Sequence, residues 1–338
     1  MYFTYNSNKM FFYFILFFST MISISSNSWL GCWIGMEINL LSFIPLISNS
    51  KNMYSSEASL KYFMVQSIAS INFLFLVLMK IYLFMDLKFN YYLLIMFNST
   101  LLMKMGSVPF HFWFPMIIEG LSWLNSFILM TWQKITPMIL LSYYYNMNFM
   151  IIIVIINSII GALGSINQIC LRKMLSFSSI NNLSWMIMSI MISENLWFIY
   201  FFIYSLLNLF LCYMFYSFNT FFFNQLFFLN LKNYLKFMFL LNFLSLGSLP
   251  PFLGFFPKWL MINYMMMNNL IILNFILIMM SLIMLYFYIR ITYSSLMMNY
   301  FKPKWFKMKI KHKSMIYMNY SLFTCLLGLP ISTLIFYF

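Results

Sequence analysis

Three lysines occupy stretches too apolar for a water-exposed chain: Lys104 in LLMKMGSVPFHFW, Lys134 in MTWQKITPM and Lys258 in GFFPKWLM. An ammonium near the centre of a bilayer costs about 2.5–3.5 kcal/mol to insert. Burial disfavours the charged form and a nearby carboxylate favours it, so moving such a partner would load or release a proton. The three lysines therefore point to a charge or proton pathway. Glu37, in SWLGCWIGMEINLLSFIP, supplies a carboxylate about eight residues into its own apolar stretch, at a depth of roughly 12 Å for ~1.5 Å per residue. It reads either as the acidic partner of a lysine or as a neutral acid bonding a neighbouring helix.

Lys104 lies about thirteen residues into its segment and Lys134 about eleven into an unbroken one. From such depth an ammonium cannot easily snorkel to the headgroups, as Lys9 or Lys80 can from near a helix end. Glu57 and Lys61 form an i,i+4 pair that reads equally as a helix-end salt bridge or as a point of proton uptake. His111, in PFHFWFP, titrates in the range a relay needs, and it could instead satisfy carbonyls freed where the helix breaks. Glu119 and Glu194 are placed in loops.

Composition fixes the class. At 64% hydrophobic, 22% aromatic and 7% charged residues, the 338-residue chain cannot be a water-soluble globule, which typically carries about 25% charged residues. The net charge of +14 has no aromatic-interleaved basic face beside it, so nucleic acid is not the partner. The excess comes from breaks between apolar segments and from the run Lys302–Lys313. Four scattered cysteines (Cys32, Cys170, Cys212, Cys325) and two histidines (His111, His312) supply iron–sulfur, haem and zinc sites poorly. Nucleotide binding has no GxGxxG or GxxxxGK[ST] run to rest on. The opening MYFTYNSNKMFFYF lacks an Arg-rich amphipathic leader, so the chain is read as starting at Met1.

A spanning helix needs about 20 residues. Apolar stretches predict eleven, at about 10–26, 28–47, 57–79, 91–114, 123–145, 149–171, 174–193, 195–216, 235–264, 268–291 and 317–337. With the N-terminus inside, twelve basic residues fall on the inner side: Lys9, Lys51, Arg172, Lys173, Lys232, Lys236 and the six lysines of 302–313. The outer side keeps Lys80 and Lys88. Positive-inside bias selects this orientation, with the C-terminus opposite and the 302–313 run a topogenic, lipid-facing loop.

The fourth and ninth segments are interrupted, one by Gly106 and Pro109 and the other by Gly247, Pro250, Pro251, Gly254 and Pro257. Such breaks free backbone groups that lipid cannot satisfy. They hold the same place in two consecutive five-helix units, which oddness makes inverted, a pattern that points to a transporter-type site. The predicted fold is an all-α polytopic membrane protein. Its parts are a first five-helix unit (1–145: Glu37, Lys104, Lys134), a second, inverted unit (146–292: Lys258), and a basic loop with a C-terminal helix (293–338).

The strings SNSWLGCWIGMEINLLSFIPL, EASLKYFMVQS, KMGSVPFHFWFP with IIEGLSW, MTWQKITP, LRKMLSFSSINNLSWM and LSLGSLPPFLGFFPKWL resemble the antiporter-like membrane subunits of mitochondrial NADH:ubiquinone oxidoreductase, respiratory complex I. The resemblance runs from about residue 27 to 260. It implies that Glu37 is the family's glutamate, Lys104 the lysine of the first broken helix that pairs with it, Lys134 the central bridging lysine and Lys258 the lysine of the second broken helix. Lys61 matches a further family lysine. It also implies a proton-translocating module in the mitochondrial inner membrane, N-terminus in the matrix and C-terminus in the intermembrane space. Its partners would be other membrane-arm subunits, including a neighbouring antiporter-like one, and membrane lipids. NADH, FMN, iron–sulfur clusters and the ubiquinone headgroup site would belong to other subunits, leaving no cofactor in this chain. The rival readings are a stand-alone cation/proton antiporter of the same fold and a purely structural membrane subunit.

Overall fold

The structure, a computed structural model, describes residues 7–49, 52–82, 87–228, 233–297, 319–320, 323–326 and 328–330. Two compact units divide the chain, Met1–Ile153 and Val154–Phe338. The described residues are helical, with one isolated antiparallel bridge between Cys170 and Phe222. Among them, seven helices are long and apolar enough to cross a membrane. The predicted all-α membrane class is therefore borne out. The lysine run 302–313 lies outside the described residues, as does most of the eleventh predicted segment.

The first unit holds α1 (Ser7–Ser25), α2 (Trp29–Ile47), α3 (Met53–Tyr82), α4 (Leu87–Met105), α5 (Trp113–Gly120), α6 (Trp123–Met130) and α7 (Trp132–Tyr143). Outward-facing Phe11, Phe14 and Phe18 on α1 are exposed, as hydrocarbon contact requires. The start of α2 is fixed by Ser28, an extended N-cap whose hydroxyl accepts from Gly31 N–H at 3.2 Å. Polar ties hold α2 to its neighbours: Trp33 Nε1 donates to the Ser70 carbonyl on α3 (3.1 Å), and Asn125 Nδ2 on α6 donates to the Leu46 carbonyl (2.8 Å). Lys80, near the end of α3, places its ammonium 4.3 Å from the Tyr144 ring centre and 5.4 Å from Trp29. Those rings supply cation–π contact.

The second unit takes up α8 (Met147–Ser165), in which the division falls, and continues with α9 (Leu171–Ile192), α10 (Glu194–Phe218), α11 (Phe223–Phe228), α12 (Asn233–Leu246), α13 (Phe255–Met267) and α14 (Ile271–Met297). Helix α9 is almost wholly buried, because its serines are small and turn their hydroxyls inward to their own helix: Ser178, Ser179, Ser184 and Ser189 each donate to the carbonyl three residues back. Helix α10 starts at the N-cap Ser193, with Glu194 in the first turn facing the positive end of the dipole. It ends at Asn219, which adopts the left-handed conformation (φ 52°) and returns its N–H to the last turn.

Three of the predicted spans are made of helix pairs. The fourth breaks between α4 and α5, where Gly106 takes φ 71° and Ser107 N–H reaches back to the Leu102 carbonyl. A side chain at 106 would be strained in that region, which favours glycine. The ninth breaks between α12 and α13, where Gly254 lies so close to α12 that an added Cβ would overlap the Ser245 carbonyl oxygen. The fifth, expected to run unbroken, is interrupted at Thr131 between α6 and α7. There the hydroxyl and the N–H of Thr131 both bond the Phe127 carbonyl, at 2.7 and 3.0 Å. Side-chain competition of this kind bends a helix without any glycine, so hydropathy gave no sign of it. The two glutamates placed in loops lie in helices instead, Glu119 at the end of α5 and Glu194 at the start of α10.

Candidate functional site

Each helix break sets a lysine. Lys104 stands in the last turn of α4, two residues before Gly106; Lys134 in the first turn of α7, just after Thr131; Lys258 in the first turn of α13, after Gly254. All three are buried, at 8%, 1% and 7% exposure. None faces lipid.

In the first unit, Lys104 and Lys134 line one cavity of about 20 Å³, together with Asn39, Gln66, Gln133 and Thr136. A cavity of that size holds about one water, and the polar lining gives it partners. Lys104 Nζ lies 3.6 Å from Met36 Sδ, while its own carbonyl accepts from Gln66 Nε2 at 3.2 Å. Gln133 Nε2 donates to Asn39 Oδ1 at 2.9 Å, tying α7 to α2 across the cavity wall. Lys134 Nζ sits 5.1 Å from the centre of the Phe114 ring, a face that attracts a cation. Glu37, half-buried on α2, acts electrostatically on Lys104 and on the buried Tyr62, without a direct ion pair to Lys104.

In the second unit, Lys258 donates to Ser248 Oγ at 2.7 Å and lies 5.7 Å from the Trp185 ring centre. Ser248 holds a left-handed backbone (φ 58°), so the turn between α12 and α13 aims its hydroxyl at the lysine. A second cavity of about 20 Å³ joins Lys258 to Asn182, Tyr200, Tyr204 and Ser245. Tyr200 donates to Asn182 Oδ1 at 3.0 Å, and Tyr204 is hydrogen-bonded to Ser179 and Asn208.

The remaining sequence candidates stand apart from these cavities. His111 is buried in the turn between α4 and α5, hydrogen-bonded to the backbone of Pro109 and tilted against Phe112. Lys61 and Glu57 pair at 2.6 Å on the exposed face of α3. Sequence reasoning overlooked the uncharged lining: Asn39, Gln66, Gln133, Asn182 and the buried tyrosines. Their signal was available, since an amide inside a spanning helix also demands a partner.

The family described as NADH:quinone oxidoreductase/Mrp antiporter, TM matches residues 26–284. Two curated relatives called NADH-ubiquinone oxidoreductase chain 2 are each 48% identical. The protein of Aedes aegypti matches over 335 residues, 98% of either chain, and that of Anopheles gambiae over 295 residues, 86% of either chain. A chain of respiratory complex I from Thermus thermophilus, solved with bound aureothin, shares the fold at a TM-score of 0.79 and 18% identity, covering 95% of this chain and 78% of that one. With buried lysines at helix breaks and relatives matched nearly end to end, the chain belongs to the NADH:quinone oxidoreductase/Mrp antiporter transmembrane family.

Proposed function

We propose that this chain is the proton-translocating, antiporter-like subunit of respiratory complex I in the mitochondrial inner membrane. The observation that carries the reading is the first-unit cavity, which brings the buried ammonium groups of Lys104 and Lys134 to one small polar space. A proton on either amine would exchange through a single water held by Asn39, Gln66 and Gln133. Protons then pass along Lys104, Lys134 and Lys258, with Glu37 biasing the first of them. A perturbation arriving from the quinone end of the complex alters the Glu37–Lys104 interaction and so shifts occupancy along the series.

Electron transfer belongs to other subunits in this reading: NADH, FMN, the iron–sulfur clusters and the ubiquinone headgroup are held elsewhere. Two histidines and four scattered cysteines leave this chain little with which to ligate them. Its partners are the other membrane-arm subunits, a neighbouring antiporter-like subunit among them. The eleven-helix count and the two inverted five-helix repeats are part of the same proposal. They draw support from the breaks beside Lys104 and Lys258. The positive-inside bias orients the N-terminus to the matrix and the C-terminus to the intermembrane space. Protease cleavage of the 302–313 loop from the intermembrane-space side of sealed mitoplasts would reverse that orientation.

A stand-alone cation/proton antiporter is the second reading, because the matching family includes Mrp antiporters. Co-purification decides between them. The native chain should migrate with a large NADH-oxidising assembly whose turnover drives proton uptake in vesicles. Cation/proton exchange by the isolated chain, with no such assembly, would establish the antiporter instead.

A further inference from the structure

A third cavity in the second unit, of about 360 Å³, dwarfs the two lysine cavities and serves neither. The turn between α8 and α9 gives it Gln168 and Ile169, the start of α11 gives it Phe223 and Asn224, and the last turns of α14 give it Phe287 and Arg290. Backbone bonds fasten two of these walls together: Phe223 N–H donates to the Ile169 carbonyl (3.2 Å) and Leu171 N–H to the Phe221 carbonyl (3.0 Å). The rings of Phe223 and Phe287 pack edge to face at 6.0 Å, which makes an apolar floor. Gln168 already donates to the Gly164 carbonyl at 3.2 Å, and the rim is otherwise amide and guanidinium.

Charge makes this cavity unusual. Of the five acidic residues in the chain, Val154–Phe338 contains Glu194 alone, against twelve basic residues in the same range. Glu194 opens α10 and the cavity lies beyond that helix's far end, about 35 Å away for 25 residues at ~1.5 Å each. No side-chain carboxylate of its own unit can neutralise Arg290. The guanidinium also stands near the end of Ile271–Tyr293, a span by length and composition, which puts it at headgroup depth. Exposed Ile169 in its wall, with exposed Phe222 and Ile289 next in sequence to Phe223 and Arg290, offers surface suited to acyl chains. Basic pockets between spanning helices bind anionic headgroups for this reason, and a guanidinium fork fits phosphate oxygens two at a time.

We propose that this cavity binds the phosphate headgroup of an anionic membrane phospholipid, with Arg290 on the phosphate and an acyl chain along Phe223 and Phe287. The test uses the intact, detergent-purified assembly and two photoreactive lipids that differ in headgroup, a phosphatidylglycerol and a phosphatidylcholine. Peptides carrying 166–169, 222–224 and 287–291 should be labelled about tenfold more by the anionic probe: both headgroups offer a phosphate to Arg290, but the zwitterionic one also brings a choline ammonium of like charge to the guanidinium. Unlabelled phosphatidylglycerol should compete and millimolar inorganic phosphate should not. Arg290→Gln should reduce labelling to the phosphatidylcholine level, and Arg290→Lys should keep most of it. Equal labelling by both lipids overturns the proposal, as does unchanged labelling of Arg290→Gln; competition by inorganic phosphate would make this a site for soluble anions instead. If Arg290→Gln fails to assemble, the headgroup comparison on the unmutated protein decides alone.

Discussion

The two units solve the same problem with different chemistry. In the first, two buried lysines share a cavity and one of them feels a carboxylate, Glu37. In the second, Lys258 is met by a hydroxyl, an indole face and a cavity whose described lining is of tyrosines, amides and apolar side chains, with no carboxylate among those lining residues. A charged partner can be displaced and so change proton occupancy by a large step. Hydroxyls and amides offer donors and acceptors in either protonation state, which suits passage more than control. If the proposed relay holds, the first unit would respond and the second conduct.

The strongest way to break the comparison is to remove the backbone device that the second site depends on. Gly254→Ala would drive a methyl into the Ser245 carbonyl, a contact no rotamer change relieves because both partners are backbone. Assembly of the complex should fall to a small fraction of normal, measured as NADH-oxidising assembly on native gels. Gly106→Ala meets a left-handed φ and a tight contact with the Cβ of buried Phe114 at 3.0 Å but no overlap with a carbonyl, so it should cost about 1–2 kcal/mol and harm assembly less than Gly254→Ala.

Next in size is the loss of a titratable group. Lys104→Met keeps much of the apolar stem and removes the amine, so pumping should suffer more than folding. Proton uptake per NADH oxidised in reconstituted vesicles should fall at least about tenfold, in the range set by loss of a positioned acid–base group. Normal pumping by a fully assembled Lys104→Met complex would sink the relay and favour a structural subunit. Ser248→Gly preserves the left-handed turn and deletes only the hydroxyl that Lys258 uses, which makes it the sharper probe of the second site. Its effect should be smaller than that of Lys258→Met, because the indole face and the cavity remain.

Glu37→Gln should be milder still. The carboxylate acts on Lys104 through space and makes no direct pair with it, so its removal changes the lysine's environment without removing the carrier. Pumping should fall by less than the roughly tenfold expected for Lys104→Met, because the titrating amine remains. A collapse equal to that of Lys104→Met would mean that Glu37 itself carries the proton.

Much of this was legible from the sequence because charge is conspicuous among apolar residues. Lys104, Lys134 and Lys258 announced themselves by cost alone, and Gly/Pro clusters marked the breaks beside two of them. The break beside Lys134 did not show, since a threonine hydroxyl makes it and threonine is common in ordinary helices. The cavity linings were equally hard to read, because whether Asn39 or Gln133 faces a lysine or a lipid depends on helix rotation, which hydropathy does not fix. Arg290 passed unremarked for the opposite reason: a cation near a helix end looks ordinary until the fold shows the cavity it borders.

The smallest effect belongs to the pair whose two readings the sequence left level. Lys61 and Glu57 meet at 2.6 Å, but their side chains are 45% and 60% exposed, and they lie on α3 away from the cavity that holds Lys104 and Lys134. An exposed i,i+4 pair is worth roughly 0.3–0.5 kcal/mol. Exchanging the two residues, Glu57→Lys with Lys61→Glu, reverses both charges and retains a pair, with some loss because the favoured order along the helix dipole is inverted. Assembly and pumping should both stay within about twofold of normal. If pumping fell sharply while assembly held, that surface would be where protons are taken up, and the proposed relay would begin at the start of α3 instead of at Glu37.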